Sequence, residues 1–174
     1  MEISDLKVLI PENEIATAVK QVASKINYDY NSEEVVVICI LKGSAIFTAE
    51  LVKHLTFPVV LDFMQVSSYG SSTVSSGKIS LHLDISESIV GRNVLIVEDI
   101  VDSGLTLSWL KSYLAKSQPK SLKICTLLDK NKCRQSDITV DYTCFDIDDE
   151  FVVGYGLDLD GRFRNLPYIA TINK

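Results

Sequence analysis

Seven consecutive apolar residues, VVVICIL at Val35–Leu41, constrain the fold of this chain more than any other feature. A strand with no polar alternation offers no face to water, so it must be covered on both sides. A second run of this kind, NVLIVE, occupies 93–98, and a third occupies 122–128. Strands are also expected at 59–66 and, with the alternation of an exposed edge, at 79–83, followed by shorter pieces at 140–146 and 151–153. Apolar residues recur at the helical period between them. Pro11 opens a helix over 12–26 through Ile15, Ala18, Val19, Val22, Ala23 and Ile26. Residues 44–54 carry Ile46, Phe47 and Leu51, with Leu55 beyond, and 105–116 carry Trp109, Leu110 and Leu114 facing inward. Buried strands alternating with helices predict an α/β domain, a mainly parallel central sheet flanked by helices on both faces. Ligands in such sheets bind at the carboxyl ends of the strands.

The 174 residues suit one domain with its own core. Seventeen Lys and Arg against 23 Asp and Glu leave a net charge of −6, which argues against binding nucleic acid or an anionic membrane surface. The apolar runs are far shorter than the ~20 residues that span a bilayer, and the first residues carry no secretory pattern. The four cysteines, Cys39, Cys125, Cys133 and Cys144, have no CxxC spacing. They read as reduced packing residues of a cytoplasmic protein. His54 and His82 stand alone, at a helix end and on an edge strand, and make no metal site.

Three strand ends carry unusual sequence: Lys42-Gly43-Ser44, the segment 97–106 (VEDIVDSGLT), and Asp129-Lys130. In the second, Glu98 and Asp99 sit where an apolar strand is expected to end, and Asp102 follows three residues later. Two carboxylates suit a vicinal diol, or a hard cation with its waters. Gly104 permits close backbone approach, and the amides opening the next helix favour an anion, with Ser103 and Thr106 adding hydroxyls. A phosphate cradle beside a diol grip has the shape of a ribose 5-phosphate. An ordinary turn capped by Asp102 or Ser103 is the alternative. No Walker A loop or GxGxxG follows a strand.

These residues resemble the donor motif of the type I phosphoribosyltransferases, specifically their hypoxanthine (hypoxanthine–guanine) branch. Leu41-Lys42-Gly43-Ser44 is similar to that branch's pyrophosphate loop, whose Leu41–Lys42 peptide is then expected to be cis. Ser68-Tyr69-Gly70 and the serine-rich stretch after it are similar to its lid, about 67–77, and residues of about 145–174 to its small hood. Leu127-Leu128-Asp129-Lys130 places its base-recognition lysine, residues 151–158 (FVVGYGLD) its purine pocket, and Phe163-Arg164-Asn165-Leu166 its pyrophosphate arginine. The resemblance runs in order over about residues 8–170.

The resemblance implies transfer of a phosphoribosyl group from 5-phosphoribosyl 1-diphosphate to hypoxanthine, and to guanine, with Mg2+ as cofactor. Asp102 is the implied acid/base at the purine N7, with capping the helix as its competing role. Lys42, Gly43 and Arg164 would bind pyrophosphate, Ser68 and Tyr69 would close over it, and Ser103, Gly104, Leu105 and Thr106 would hold the 5-phosphate. Leu105 stands where some relatives carry a basic residue, which leaves more of that task to backbone amides. Glu98 and Asp99 would grip the diol or the metal, and Asp158 a second metal. Lys130 would donate to the purine O6, Phe151 would stack on the ring, and the backbone at Val152 and Asp158 would meet its 2-position. Arg164 in a surface ion pair, Phe151 in the core and residues 67–77 as a linker are the plainer alternatives. A homodimer or homotetramer is implied. A nucleotide-sensing RNA-binding regulator on the same fold and a transferase for another base such as xanthine are the competing functions. The acidic charge disfavours the first, and a lysine that can only donate disfavours adenine.

Overall fold

The computed structural model describes residues 2–68 and 79–172. Six strands form the central sheet: β2 (Val35–Leu41), β3 (Val59–Ser68), β4 (Ile79–Leu83), β5 (Asn93–Val101), β6 (Ser121–Asp129) and β7 (Tyr142–Asp146). Their order is β4-β3-β2-β5-β6-β7; β4 runs antiparallel at one edge and every other pairing is parallel. The continuous apolar runs are sorted by the pleat. Val35 and Val37 of β2 and Leu95 and Val97 of β5 pack with Ile15, Val19, Val22 and Ile26 of α1 (Glu12–Tyr30) and with Phe47 and Leu51 of α2 (Ala45–Val52). Val36, Ile38 and Ile40, with Val94 and Ile96, pack against Leu107, Leu110 and Leu114 of α3 (Leu105–Ala115). Both faces are covered, as the missing alternation requires.

Several boundaries differ from the sequence expectations. Helix α1 continues past Ile26 because Tyr30 takes the next inward step, edge-on to Phe57, and ends where Asn31 turns left-handed at φ 43°. Trp109 packs against the core beside α3 only half-buried, stacked on Tyr113, while Leu107 joins Leu110 and Leu114 as a fully buried position. Strand β7 begins at Tyr142 rather than 140. A second, three-stranded antiparallel sheet, β1-β9-β8, joins β1 (Leu6–Ile10) from the start of the chain to β8 (Val152–Val153) and β9 (Ile169–Ile172). The expected lid falls almost wholly on residues 69–78, outside those described. Among the described residues, no helix is long and apolar enough to cross a membrane.

Strand order reverses between β2 and β5: the chain leaves β2 for β3 on one side and returns to β5 on the other. The two strands pair only as far as Cys39 and Val97, whereas β5 continues along β6 to Val101 and Asp129. A crevice therefore opens beyond Val97, the position at which doubly wound sheets bind ligands. The approach to β5 is tied down by Asp62 of β3, 5% exposed, whose carboxylate accepts N–H bonds from Phe63, Ser86 and Glu87 at 2.8–2.9 Å. Burial opposes that charge, but the donors outweigh it and hold the carboxyl below its ordinary 3.8. Asp62→Ala is expected to lower unfolding free energy by about 3 kcal/mol at pH 7 in urea titrations. A depressed carboxyl stabilises fully above its unfolded value and loses that contribution as pH falls through the folded one. The gap between wild type and variant should therefore narrow below about pH 4.

Candidate active site

Two cavities open at the carboxyl ends of the strands. The first, about 450 Å³, is lined by Leu41, Gly43, Glu98, Asp99, residues 102–104, Thr106, Asp158 and Arg164, with Ile40, Val66, Ser67 and Leu107 behind them. The second, about 830 Å³, is lined by Asp102, Lys130, Asp149, Glu150, Phe151, Thr171 and Ile172. Asp102 is the residue common to both linings.

The acid pair does not end its strand. Glu98 and Asp99 lie inside β5, three and two residues before Val101. The side-chain alternation changes phase there: Ile100 packs with Leu95 and Val97, and Val101 with Val94 and Ile96. That offset lets two consecutive carboxylates share one cavity, which a regular strand would not. The Glu98 Oε1 accepts the Asp99 N–H at 3.3 Å, and Asp99 accepts from Ile100 at 2.8 Å. Burial, and then the charge of Asp99, push the Glu98 carboxyl well above the ordinary carboxylate range.

The Asp99 carboxylate lies against Gly43. A Cβ on Gly43 would sit 1.5 Å from Asp99 Oδ2, and one on Gly156 would sit 2.0 Å from the Gly43 carbonyl oxygen. Three segments meet here because two of them lack side chains. The Leu41–Lys42 peptide is cis. Ser44 turns inward, its hydroxyl donating to Ile40 O at 2.6 Å, which leaves the backbone at Gly43 facing the cavity. Lys42 is exposed and is not among the lining residues.

Asp102 does not cap α3. Gly104 does, at φ 77°, with no side chain bonded to the helix start as a cap. Asp102 is exposed and free of that duty, and Ser103 Oγ offers Leu105 N only a long contact of 3.5 Å. The turn is braced from behind instead: Ser103 O accepts from Gln135 N at 2.9 Å and from Ser136 Oγ at 3.2 Å. Gly104, Thr106 and Leu107 line the first cavity, so the positive end of α3 opens into it. Leu105 is exposed and outside that lining.

Lys130 follows the last residue of β6, its N–H bonded to Val101 O at 2.8 Å. Its side chain is 8% exposed, with Nζ 3.1 Å from Asp149 Oδ1 and 3.8 Å from Asp102 Oδ2. Phe151 is 57% exposed at the mouth of the second cavity, so it is not a core residue. Val152 is buried and pairs with Thr171. Arg164 donates to Gly156 O at 2.5 Å and pairs with Asp158 at 2.6 Å, and Asp158 Oδ2 also accepts from Gly161 N at 2.7 Å. The ion-pair alternative for Arg164 is thus met, but on the cavity wall and not on an open surface. Ser68 closes β3, and Tyr69 lies outside the described residues. Sequence reading missed Asp149 and Glu150, which sit in a solvated acidic run with no motif to distinguish them. It also missed Val66 and Ser67, assigned there to strand and lid.

A family model described as a phosphoribosyl transferase domain matches residues 10–160. The hypoxanthine-guanine phosphoribosyltransferase of Bacillus subtilis (strain 168) is 48% identical over 166 residues, 95% of this chain and 92% of that protein. A crystal structure of a hypoxanthine-guanine phosphoribosyltransferase from Bacillus anthracis is similar at a TM-score of 0.92 and 48% identity, covering 95% of this chain and 98% of that one. For a hypoxanthine phosphoribosyltransferase from Staphylococcus aureus the TM-score is 0.94 at 42% identity, with 97% and 92% covered. On these matches the chain belongs to the phosphoribosyltransferase family, in its hypoxanthine–guanine branch.

Proposed function

We propose that this chain transfers the phosphoribosyl group of 5-phosphoribosyl 1-diphosphate to the N9 of hypoxanthine or guanine, releasing diphosphate. The observation that carries this reading is the position of Asp102, on the wall shared by the two cavities. The first cavity has the groups for the donor. The N-terminus of α3 with Ser103 and Thr106 would take the 5-phosphate. Glu98 and Asp99 would take the ribose diol, and the Gly43 backbone with Arg164 the diphosphate. The second cavity has the groups for the base. Lys130 would donate to O6 and Phe151 would stack on the ring, while the backbone at Val152, buried next to Phe151, and at Asp158, on the wall of the first cavity, would meet the 2-position.

In the reaction the purine N9 forms a bond to C1 of the ribose as the C1–O bond to diphosphate breaks. The base must lose a proton, and Asp102 is placed to accept it at N7, a contribution of ~10²–10⁴-fold. The donor set fits Mg2+: Glu98 is destabilised as an anion beside Asp99, and a hard cation or hydroxyl donors would relieve that crowding. Glu98 and Asp99 would hold it, and Asp158 a second one, sharing its carboxylate with Arg164. When bound, the ion supplies charge neutralisation for the leaving diphosphate. A lid over residues 67–77 would keep water from the reacting carbon. A cytoplasmic homodimer or homotetramer is the assembly that goes with this reading, and the four cysteines are free.

A base panel tests the reading. With the donor and Mg2+, hypoxanthine and guanine should yield nucleotide and adenine should not; excess chelator should abolish turnover. Comparable turnover of adenine, or full activity in chelator, would overturn it.

The acid pair gives a second prediction. A carboxyl whose pKa is raised on folding costs nothing below its unfolded value, and the cost grows from there to its full size above the folded value. Glu98→Gln should therefore raise the thermal midpoint at pH 8 by about 2–4 °C, with the difference closing as pH falls toward the ordinary 4.5. The same variant should weaken donor binding, measured by calorimetry.

A further inference from the structure

We propose that Asp149 is a positioning residue for base recognition: it holds the Lys130 ammonium as a donor into the base cavity and keeps it from closing on Asp102. This rests on the function proposed above and names a residue that the sequence motifs did not supply.

Lys130 is an ammonium taken out of water, 8% exposed, and such a group needs a counter-charge or an acceptor. Two carboxylates face it among the described residues. The nearer is Asp149 Oδ1 at 3.1 Å, within hydrogen-bond distance; Asp102 Oδ2 at 3.8 Å is not. The geometry is unequal in the direction the chemistry needs. An ammonium has three donors, and one of them satisfied by Asp149 leaves two for the cavity. A direct bond to Asp102 would instead stabilise that carboxylate as an anion and weaken it as an acceptor of the purine proton.

The chain path gives the contact a second consequence. Asp149 lies in the connection from β7 to β8, two residues before Phe151, while Lys130 directly follows β6. Their bond fixes the O6 donor relative to the stacking ring, two groups that recognise the same base from different elements. Lys130 is the cation of the base cavity, whose other charged lining residues are Asp102, Asp149 and Glu150. The Cys133 thiol completes the surroundings: its sulfur and carboxylate oxygens of Asp102 and Asp149 lie within 4.8 Å of one another. Lys130 holds the Asp149 carboxyl below its ordinary range, so the partner is an anion at neutral pH. Asp149 is itself exposed, so replacing it removes the tie without opening a core.

The test compares wild type with Asp149→Ala and Asp149→Glu. Steady-state kinetics would be run with hypoxanthine and with guanine, alongside calorimetric binding of IMP and of the donor. Asp149→Ala should raise KM for both bases roughly tenfold and weaken IMP comparably, while donor affinity stays within about twofold. Both bases should suffer alike, because they share O6 and differ at the 2-position. Asp149→Glu should recover most of the base affinity, and the thermal midpoints of both variants should stay close to wild type. Unchanged base KM in Asp149→Ala would overturn the inference, and so would an equal loss of donor affinity or a collapse in melting temperature. A wild-type protein that neither binds IMP nor turns over any 6-oxopurine would instead overturn the function on which it rests.

Discussion

Strand β5 outruns its neighbour β2, and the site depends on that mismatch in length. Pairing between the two stops at Cys39 and Val97, yet β5 stays paired with β6 at Glu98, Ile100 and Val101. The overhang holds the acid pair on a strand still paired at Glu98 and Ile100 while freeing its other side for a ligand. It also brings Asp99 level with the turn after β2, where contact is possible only because Gly43 has no side chain. Gly156 then approaches Gly43 from the far side on the same terms. A single methyl on either glycine would meet the Asp99 carboxylate or the Gly43 carbonyl, so the 41–44 loop, the acid pair and the 154–158 turn form one packed unit.

Charge explains the remaining arrangement. A protein of net charge −6 that binds a polyanionic donor works against its own field, and local groups must reverse it. The available positive charge is concentrated accordingly: the N-terminus of α3, Arg164 and Lys130 all point into the two cavities. Each cationic side chain is held by a carboxylate, Arg164 by Asp158 and Lys130 by Asp149. Such pairing fixes where a long side chain points, at the cost of some of its field. The acid pair is the exception. Glu98 has no cationic side chain among the described residues and is destabilised as an anion, which is why its neutralisation is assigned to the donor's hydroxyls and a metal.

The sheet was legible because apolar runs such as Val35–Leu41 admit few structures, and the helices because their apolar period is long. Elements whose identity is set by distant partners were not. Strand β1 is exposed at three of its five residues and exists through pairing with β9, near the other end of the chain, as in Leu6 with Ile172. Trp109 is inward by period and does pack against the core, but only half-buried, since it shares that place with Tyr113 on which it stacks. Within the site, the 97–106 segment announced its own chemistry, since residue type and spacing coincide there. Asp149 did not, because an acid among acids acquires meaning only when folding sets it 3.1 Å from a buried lysine. The capping alternative for Asp102 was open in sequence and closed by backbone geometry, with Gly104 in the capping position.

That last point gives the most direct measurement of the account. Asp102 holds no helix end, so Asp102→Asn preserves the shape of the shared wall and removes the ability to take a proton, together with the charge that faces Lys130 at 3.8 Å. Single-turnover formation of nucleotide should fall by ~10²–10⁴-fold, about 2.7–5.4 kcal/mol of barrier. Donor affinity by calorimetry and the melting temperature should remain near wild type. A variant that keeps the wild-type single-turnover rate at neutral pH would show that the proton leaves by another group, and the central role of Asp102 would be wrong.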